Sequence, residues 1–181
     1  MTVIVIRGNV MAADSGMWNE DSLTSDTETK VIRCKWGLFA ISGFAGAQRV
    51  AKKVFDEAEE IPDKLDGIGD NTNVYLLRND GSIRLYCDGG YNEVRHEFYA
   101  VGAAGPVALG AMHAGADAVT ACQIAIKVGP WAAGAVQSLA VGLPDAQGTL
   151  TAEEVLSGEV DPQELYDPED ETPLWRKVRG L

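Results

Sequence analysis

Residues 2–14, TVIVIRGNVMAAD, decide how this chain begins to fold. The β-branched residues between Thr2 and Arg7 predict a strand that starts at the second residue of the sequence. Gly8-Asn9 is a tight-turn dipeptide, and Val10 to Asp14 then return as a second strand. The pattern predicts a β-hairpin that places the beginning of the sequence in a sheet. Without such pairing, a chain terminus is usually poorly ordered.

Strand and helix signals continue as far as residue 141. Apolar and β-branched runs predict further strands at 30–34, 38–42, 73–78, 82–87, 97–101 and 136–141. The spacing of apolar residues predicts helices at 44–60, 106–113 and 118–128. Residues 15–29 are polar and rich in turn formers, which indicates a surface loop. Runs of antiparallel strands interrupted by helices indicate an α+β fold, with helices on the outer faces of the sheets.

Composition changes near residue 143. Residues 1–142 carry the strand and helix signals, and a chain of 181 residues is long enough to bury a substantial core. Between residues 143 and 181, acidic side chains outnumber basic ones and prolines recur. We therefore expect one globular domain over residues 1–142, followed by an acidic C-terminal extension over residues 143–181.

The chain is acidic, with a formal net charge of −12. Binding to nucleic-acid phosphates requires clustered Lys and Arg, and the sequence has no basic stripe, so we expect no nucleic-acid partner. Its apolar runs are too short for a signal peptide or a membrane span. The sequence therefore predicts a soluble, cytoplasmic protein that does not associate with membranes.

Metal and cofactor signals are absent from the sequence. The two histidines, His96 and His113, have no metal-ligand spacing around them. The three cysteines, Cys34, Cys87 and Cys122, are widely separated and form no C-x-x-C motif, which predicts reduced thiols. We expect neither a metal site nor any other cofactor.

Thr2 is the first candidate for chemistry, since removal of Met1 would make it the N-terminal residue. Its α-amino group would then lie beside its own hydroxyl. The pKa of an α-amine is close enough to neutral for the amine to accept the hydroxyl proton. The alternative is that Thr2 is a β-forming residue at the start of a strand, with no role in chemistry.

Lys30 and Asp14 strengthen the case for Thr2 as a nucleophile. Asp14 ends the second predicted strand and Lys30 begins the next, so hairpin pairing is expected to bring both beside the first strand. A buried ammonium near Thr2 would lower the pKa of the amine and stabilise negative charge on the hydroxyl oxygen, while Asp14 holds that ammonium in place. The alternative is an ordinary surface ion pair.

Several short runs occur in order between residues 2 and 141. They read TVIV at 2–5, MAADS at 11–15, KVIR at 30–33, ISGFAG at 41–46, AVGAAG at 100–105 and GADA at 115–118. In this order and spacing they resemble the proteasome β-subunit and HslV peptidases, which are N-terminal-nucleophile hydrolases. The resemblance implies an α+β fold built as a four-layer αββα sandwich of two antiparallel sheets.

The resemblance also implies a role for each candidate residue. Thr2 would be the nucleophile and, through its freed amine, the general base, and Lys30 would tune that amine. Asp14 would anchor Lys30, and the backbone N–H of Gly43 would donate to the oxyanion. Read from its residues alone, Gly43 is equally a turn residue between a strand and a helix.

The implied activity is that of a threonine-type peptidase, which hydrolyses peptide bonds inside a self-compartmentalised ring. The implied partners are further copies of the chain in stacked homo-oligomeric rings, an ATP-dependent unfoldase, and unfolded polypeptide as substrate. The chain has no nucleotide-binding motif of its own, so any ATPase would be a separate protein.

Two positions depart from the family pattern. Ala103 and Ala133 stand where active members of the family lead us to expect serine. Such hydroxyls help to move the proton, so their absence leaves a catalytically impaired ring scaffold or regulatory subunit as the alternative. A third possibility is a related amidase that acts on a small molecule, because a fold does not fix its substrate.

Overall fold

A computed structural model of the chain describes residues 2–87 and 89–142. The predicted acidic extension, residues 143–181, lies outside the described residues. Eleven strands and three helices are present in the described part of the chain. In chain order they are β1 (Val3–Arg7), β2 (Val10–Asp14), β3 (Met17–Asn19), β4 (Ser22–Ser25), β5 (Ile32–Cys34), β6 (Gly37–Ser42), α1 (Ala47–Glu57), β7 (Asn73–Arg78), β8 (Ile83–Cys87), β9 (Gly90–Val94), β10 (Phe98–Gly102), α2 (Gly105–His113), α3 (Ala118–Val128) and β11 (Val136–Ala140).

The strands form three antiparallel sheets. A four-stranded sheet has the order β10-β1-β2-β11, and a five-stranded sheet has the order β5-β6-β7-β8-β9. The third sheet is the hairpin of β3 and β4. The predicted α+β class with antiparallel sheets is therefore confirmed.

The β1–β2 hairpin lies at the centre of the four-stranded sheet. Its turn includes Gly8, whose φ of 57° is a left-handed conformation that glycine adopts without strain. Ile4 pairs with Ala13 in the register that this turn sets. Both faces of β1 are buried from Val3 to Ile6, which explains why this part of the strand is continuously apolar and does not alternate with polar residues.

Alternate residues of β1 enter two different cores, because successive side chains of a strand point to opposite faces. Val3 and Val5 pack with the alanine-rich helices α2 and α3. Ile4 and Ile6 pack with residues of β6, β7 and β8 from the five-stranded sheet. A third core joins β6 and β7 to α1 through the fully buried Phe55. Truncation of such a buried aromatic to alanine typically costs about 3–5 kcal/mol of stability.

The helices lie close to their predicted positions. The helix predicted at 44–60 is shorter and spans Ala47–Glu57. Asp117 caps α3, since its side chain accepts a hydrogen bond from the Thr120 backbone N–H at 2.7 Å. None of the helices in the described part of the chain combines the length and apolar character needed to cross a membrane.

The surface loop predicted at 15–29 is wrong in part, because 17–25 form the β3–β4 hairpin. Its turn contains Glu20 with a φ of 50°, a conformation for which Asn-Gly or Asp-Gly is the usual sequence signal. The sequence lacks that dipeptide here and the strands are largely polar, so local patterns gave no indication of pairing.

The expected position of Lys30 is also wrong. Lys30 precedes β5 and lies outside it, and β5 is an edge strand of the five-stranded sheet, so it does not neighbour β1. The expectation assumed that consecutive strands pair in one sheet, whereas the β3–β4 hairpin intervenes and the chain then crosses to the other sheet. Strand β9, which pairs with β8, has no clear sequence signal either.

Candidate active site

Thr2 and Asp14 lie at the same end of the β1–β2 hairpin. Thr2 directly precedes β1 and Asp14 is the last residue of β2, and the register that pairs Ile4 with Ala13 places them one position apart across the hairpin. The Thr2 hydroxyl donates a hydrogen bond of 2.6 Å to Asp14 Oδ1. The Val3 backbone N–H donates to the same oxygen at 2.9 Å. The hairpin alone therefore fixes the Thr2 hydroxyl against a carboxylate.

Asp14 is fully buried, and both of its carboxylate oxygens are hydrogen bonded. Its Oδ2 accepts hydrogen bonds from the backbone N–H groups of Gly16 and Ala133, each at 3.2 Å. A buried carboxylate without partners would cost several kcal/mol, and these donors offset that cost. The donors come from segments distant in sequence, and Asp14 therefore ties the start of β1 to the turn before β11.

Lys30 completes a triangle with Thr2 and Asp14. Its ammonium Nζ lies 2.8 Å from Thr2 Oγ1 and 2.8 Å from Asp14 Oδ1. Burial lowers the pKa of Lys30 from its ordinary value, and attraction to Asp14 opposes that shift. An ammonium that donates to a hydroxyl oxygen favours negative charge on that oxygen. This arrangement can stabilise an alkoxide at Thr2.

Gln137 of β11 holds the segment that carries Lys30. Its side-chain oxygen accepts a hydrogen bond of 2.7 Å from the Lys30 backbone N–H, and its Nε2 donates to the Glu28 carbonyl. These contacts explain how Lys30 reaches the β1–β2 end although the strand that follows it belongs to the other sheet. Sequence reasoning missed Gln137, because no local pattern relates residue 137 to residue 30.

Ser15 fixes the chain directly after β2. Its hydroxyl donates to the Asp26 carbonyl and accepts a bond of 2.9 Å from the Ala135 N–H. Its backbone N–H donates to the Ala133 carbonyl at 3.2 Å, and its carbonyl accepts from the Glu28 N–H at 3.0 Å. Ser15 therefore joins two distant segments to the end of β2, and sequence reasoning missed it for the same reason as Gln137.

The turn at 129–134 contributes backbone and aromatic contacts to the site. The Ala133 backbone N–H donates to Asp14, but its side chain is a methyl group at the position where the family resemblance leads us to expect serine. Trp131 has a φ of 58° and packs edge-to-face on Trp18 of β3, with ring centroids 5.2 Å apart. The turn therefore connects the Asp14 carboxylate to the β3–β4 hairpin.

Gly43 follows β6 in a conformation that requires glycine. Its φ is 125°, a region that side-chain-bearing residues rarely adopt. A Cβ at this position would lie 2.6 Å from the Asn71 carbonyl oxygen and 2.8 Å from the Thr72 Cα. Gly43 therefore lets two backbone segments approach closely at the point where the chain turns from strand to helix.

Gly102 allows the end of β10 to approach Thr2. A Cβ added at Gly102 would lie 1.9 Å from the Thr2 carbonyl oxygen, far inside any nonbonded contact distance. The next residue, Ala103, lines the same cavity as Thr2. The backbone of the AVGAAG run at 100–105 thus lies against Thr2. Ala103 in this run has a methyl group where the family resemblance leads us to expect a hydroxyl.

A cavity of about 400 Å³ opens beside Thr2. Thr2, Lys30 and Gly43 line it, together with Met17 and Trp18 from the β3–β4 hairpin. Of the four predicted site residues, the structure brings Thr2, Asp14 and Lys30 into direct contact and places Gly43 on the cavity wall. Three of the four residues therefore face a space that a substrate could enter, and Asp14 lies buried behind Thr2 and Lys30.

The two buried cysteines, Cys34 and Cys122, are poor candidates for a nucleophile. Burial raises the pKa of Cys122 to about 12, with a further contribution from the nearby Asp14 carboxylate. Burial likewise raises the pKa of Cys34. Both thiols stay protonated near neutral pH, which does not suit a nucleophile. Within residues 2–87 and 89–142, no group of three or more His, Cys, Asp or Glu side chains is arranged to hold a metal ion.

Comparison with known proteins gives matches among solved structures. No family model and no curated protein matches the chain. The structure of BPH from Thiobacillus denitrificans is similar with a TM-score of 0.60 and 22% identity, over 80% of this chain and 100% of that one. BPH in complex with epoxomicin gives a TM-score of 0.59 and 21% identity, over 79% of this chain and 98% of that one.

Eukaryotic HslV from Trypanosoma brucei is also similar, with a TM-score of 0.58 and 15% identity, over 77% of this chain and 98% of that one. At these identities the similarity establishes the fold and leaves the chemistry to be argued from the residues. The chain therefore has a proteasome β/HslV-like fold, the fold of a class of peptidases.

Proposed function

We propose that the chain is a threonine-type peptidase of the proteasome/HslV class, in which Thr2 becomes the N-terminal nucleophile after removal of Met1. The observation that carries this proposal is the contact of the Lys30 ammonium with both Thr2 Oγ1 and Asp14 Oδ1, each at 2.8 Å. A purely structural ion pair has no need of a hydroxyl as its third member. The similarity to BPH, which has been seen in complex with epoxomicin, supports the same class of activity.

In the proposed acylation step, the freed α-amine of Thr2 accepts the proton of its own hydroxyl. Oγ1 bonds to the carbonyl carbon of the substrate, and the carbonyl electron pair moves to oxygen. Lys30 stabilises charge on Oγ1 before the attack, and Asp14 keeps the ammonium in place. The intermediate collapses as the leaving amine takes the proton from the α-ammonium, and an ester remains on Thr2.

Gly43 is the proposed oxyanion donor. Its place on the cavity wall and its requirement for glycine suit a backbone N–H that must come close to a substrate carbonyl. Water then attacks the ester, with the α-amine again accepting a proton. Collapse of the second intermediate breaks the ester bond, restores the Thr2 hydroxyl and releases the carboxylic acid product.

We further infer that residues 1–142 form one N-terminal-nucleophile hydrolase domain with four layers in the order αββα. Three separate cores support this order. The first joins α2 and α3 to the four-stranded sheet, the second joins the two large sheets, and the third joins the five-stranded sheet to α1. Residues 143–181 are the acidic extension of this proposed domain.

The proposed assembly is a set of stacked homo-oligomeric rings in the cytoplasm, to which an ATP-dependent unfoldase delivers unfolded polypeptide. The fold shared with HslV supports this assembly. Size-exclusion chromatography with light scattering tests it, and we expect a mass several times the 19.3 kDa of one chain. A monomer at micromolar concentration would contradict the ring.

Intact-mass spectrometry of the purified native protein tests the proposed chemistry. We expect a species without Met1 that gains one equivalent of an epoxyketone directed at N-terminal threonine. Thr2→Ala should abolish this adduct, whereas Thr24→Ala, a change in another cavity-lining threonine, should retain it. A protein that keeps Met1, or labelling that survives Thr2→Ala, would rule out Thr2 as the nucleophile.

A catalytically impaired ring scaffold or regulatory subunit is the second candidate function. Ala103 on the cavity wall and Ala133 at the Asp14 carboxylate favour it, because both offer methyl groups where proton-transferring hydroxyls are expected. An assembled ring that has lost Met1 but does not react with the epoxyketone would select this candidate over the peptidase.

A further inference from the structure

The cavity beside Thr2 contains two ionisable side chains, Lys30 and Glu28. The ammonium of Lys30 is already engaged by Asp14 and the Thr2 hydroxyl. Glu28, in contrast, takes part in none of the ion pairs or side-chain hydrogen bonds found among the described residues. The free charge that this cavity offers to an incoming group is therefore negative.

The backbone of Glu28 is held on both sides, which fixes the point from which its side chain extends. Its N–H donates to the Ser15 carbonyl at 3.0 Å, and its carbonyl accepts from Gln137. The residue is only partly exposed. The Glu28 carboxylate is also close enough to Lys30 to raise the pKa of that ammonium, although the effect is smaller than that of Asp14. Glu28 therefore carries a charge on a held backbone segment that lines the same cavity as the candidate nucleophile.

Apolar side chains supply part of the remaining binding surface, beside polar ones such as Asn19 and Gln48. Trp18, Ile41 and Phe44 line the cavity, and Phe44 is 71% exposed at its rim. Lysine and arginine bury their aliphatic stems on such surfaces while the charged head reaches a polar partner. Aromatic faces attract the same cations. These apolar side chains, together with the Glu28 carboxylate, thus match a long cationic side chain better than a short or acidic one.

We propose that the cavity binds a Lys or Arg side chain of the substrate next to the scissile bond, and that Glu28 determines this preference. The inference rests on the proposed function, because the bound residue is adjacent to the attacked carbonyl only if Thr2 is the nucleophile. The net charge of −12 acts in the same direction by attracting cationic segments to the particle. Acidic residues at this position are rejected by repulsion from Glu28.

Equilibrium binding tests the preference independently of turnover. Fluorescein-labelled tripeptide amides that end in Arg, Leu or Glu are titrated with the full-length Thr2→Ala protein, and binding is followed by fluorescence anisotropy. We expect the Arg peptide to bind about tenfold more tightly than the Leu peptide, as for a half-buried charged hydrogen bond. Added salt should reduce the difference.

Glu28→Gln isolates the charge, because the amide keeps the size of the side chain. It should bring the Arg and Leu affinities together. Glu60→Gln removes the same charge from an exposed position outside the cavity and should keep the tenfold preference. Equal binding of the Arg and Leu peptides by the Thr2→Ala protein that retains Glu28, or an Arg preference that survives Glu28→Gln, would overturn the inference.

Epoxyketones that carry Arg, Leu or Glu beside the reactive group separate this inference from the proposed function. Faster labelling of wild-type Thr2 by the Leu reagent than by the Arg reagent would be consistent with the proposed peptidase but would contradict a preference for Arg set by Glu28. Selective Arg binding without labelling of Thr2 by any reagent would instead refute the nucleophile, while the cation-binding cavity would stand.

Discussion

The side chain of Gln137 accepts a hydrogen bond of 2.7 Å from the backbone N–H of Lys30, across 107 residues of sequence. Gln137 pairs with Ala13 in the sheet, one residue before Asp14. A single side chain on β11 therefore positions the backbone of Lys30 relative to the carboxylate that its ammonium contacts. This makes Gln137 a positioning residue, which acts on the proposed chemistry through Lys30.

Gln137→Ala should slow epoxyketone labelling of Thr2 by about tenfold, because loss of about 1–2 kcal/mol of positioning energy has that effect on a rate. The far-ultraviolet circular dichroism should remain that of the wild type. Gln123→Ala, at an exposed position of α3, is the matched control and should label normally. If the two variants label at the same rate, the Gln137 contact does not position Lys30.

The buried pair of Lys30 and Asp14 should matter far more for stability than an exposed pair of the same residue types. Asp14→Asn leaves the Lys30 ammonium buried without its counter-ion, at an expected cost of about 3–5 kcal/mol in the free energy of unfolding. Asp56 pairs with Lys52 at 2.6 Å, but their side chains are 40% and 48% exposed. Asp56→Asn should therefore cost less than about 1 kcal/mol.

Urea unfolding of the two variants, followed by circular dichroism, provides the comparison. Similar losses of stability for Asp14→Asn and Asp56→Asn would show that the Asp14 carboxylate is not the charged centre that the structure indicates. The same experiment on Asp14→Leu would report how far apolar packing replaces the five hydrogen bonds that Asp14 accepts.

Much of the fold was accessible from local sequence signals. Gly8-Asn9 predicted the β1–β2 hairpin, and its antiparallel register brings Thr2 and Asp14 to the same end, one position apart across the strands. The three helices were predicted from the spacing of their apolar residues and from Gly, Pro and Asp117, which mark helix ends. The β3–β4 hairpin was missed because residues 17–25 are largely polar, and its turn has no glycine. Its stability comes from contacts such as Trp18 on Trp131, which local patterns cannot reveal.

For the site, too, residues were predicted where the sequence carries a local signal and missed where their role depends on long-range contacts. Thr2, Asp14 and Lys30 were predicted from their chemistry and expected strand positions and then from an ordered family resemblance, which also gave Gly43, and the reasoning that placed Lys30 on a neighbouring strand was wrong. The supports of the site, Ser15, Gln137 and the Ala133 backbone, depend on hydrogen bonds between segments about 100 residues apart. Such contacts leave no periodic or spacing signal in a single sequence.

Gly43→Ala should destabilise the protein and abolish labelling. The added Cβ would lie 2.6 Å from the Asn71 carbonyl, and the φ of 125° would be strained as well, so we expect a loss of about 3 kcal/mol or more. Gly69→Ala is the matched control, since its φ is 83° with no atom within 4 Å of the added carbon. It should cost about 1–2 kcal/mol and leave labelling intact.

Thermal unfolding and intact-mass labelling of both glycine variants measure these effects. If Gly43→Ala proves as mild as Gly69→Ala, the close approach of the 71–72 backbone to Gly43 is not present in solution. A Gly43→Ala protein that folds and still labels at the wild-type rate would remove Gly43 from the proposed oxyanion site.

The lowered pKa of Lys30 predicts a pH dependence for labelling. Deprotonation removes the positive charge beside Thr2 Oγ1, so labelling should decline on the alkaline side at a pH below the ordinary pKa of lysine. Labelling should rise through neutral pH as the α-amine of Thr2 loses its proton. The rate profile is measured with the epoxyketone, and an alkaline decline only at or above the ordinary lysine pKa would contradict the assignment.

The same group affects stability with a defined sign. Since the pKa of Lys30 is lower in the folded than in the unfolded protein, the unfolded chain binds more protons between the two values. The free energy of unfolding should therefore gain from Lys30 as pH rises through that window. Lys30→Met should flatten this part of the stability profile, whereas substitution of the exposed Lys127 by Met should leave its slope unchanged.

Ala103 offers the most direct test of whether a missing hydroxyl limits the proposed reaction. Its methyl group lines the cavity with Thr2, and Gly102 brings this backbone against the Thr2 carbonyl. A serine at this position adds one oxygen where proton transfer between the amine and the hydroxyl can use it. Supporting acid–base groups commonly contribute factors of about 100 or more, so Ala103→Ser should speed labelling at least tenfold.

Ala45→Ser is the matched control, because Ala45 lines the same cavity and should give no acceleration. Both variants are compared with wild type by labelling rate and by cleavage of a fluorogenic peptide. If Ala103→Ser labels no faster than Ala45→Ser, the hydroxyl at this position is not what the wild-type site lacks. Acceleration specific to Ala103→Ser would instead show that Thr2, supported by Lys30 and Asp14, acts as a nucleophile whose proton transfer is slow. A hydroxyl added at position 103 can speed the reaction only if that nucleophile is already functional.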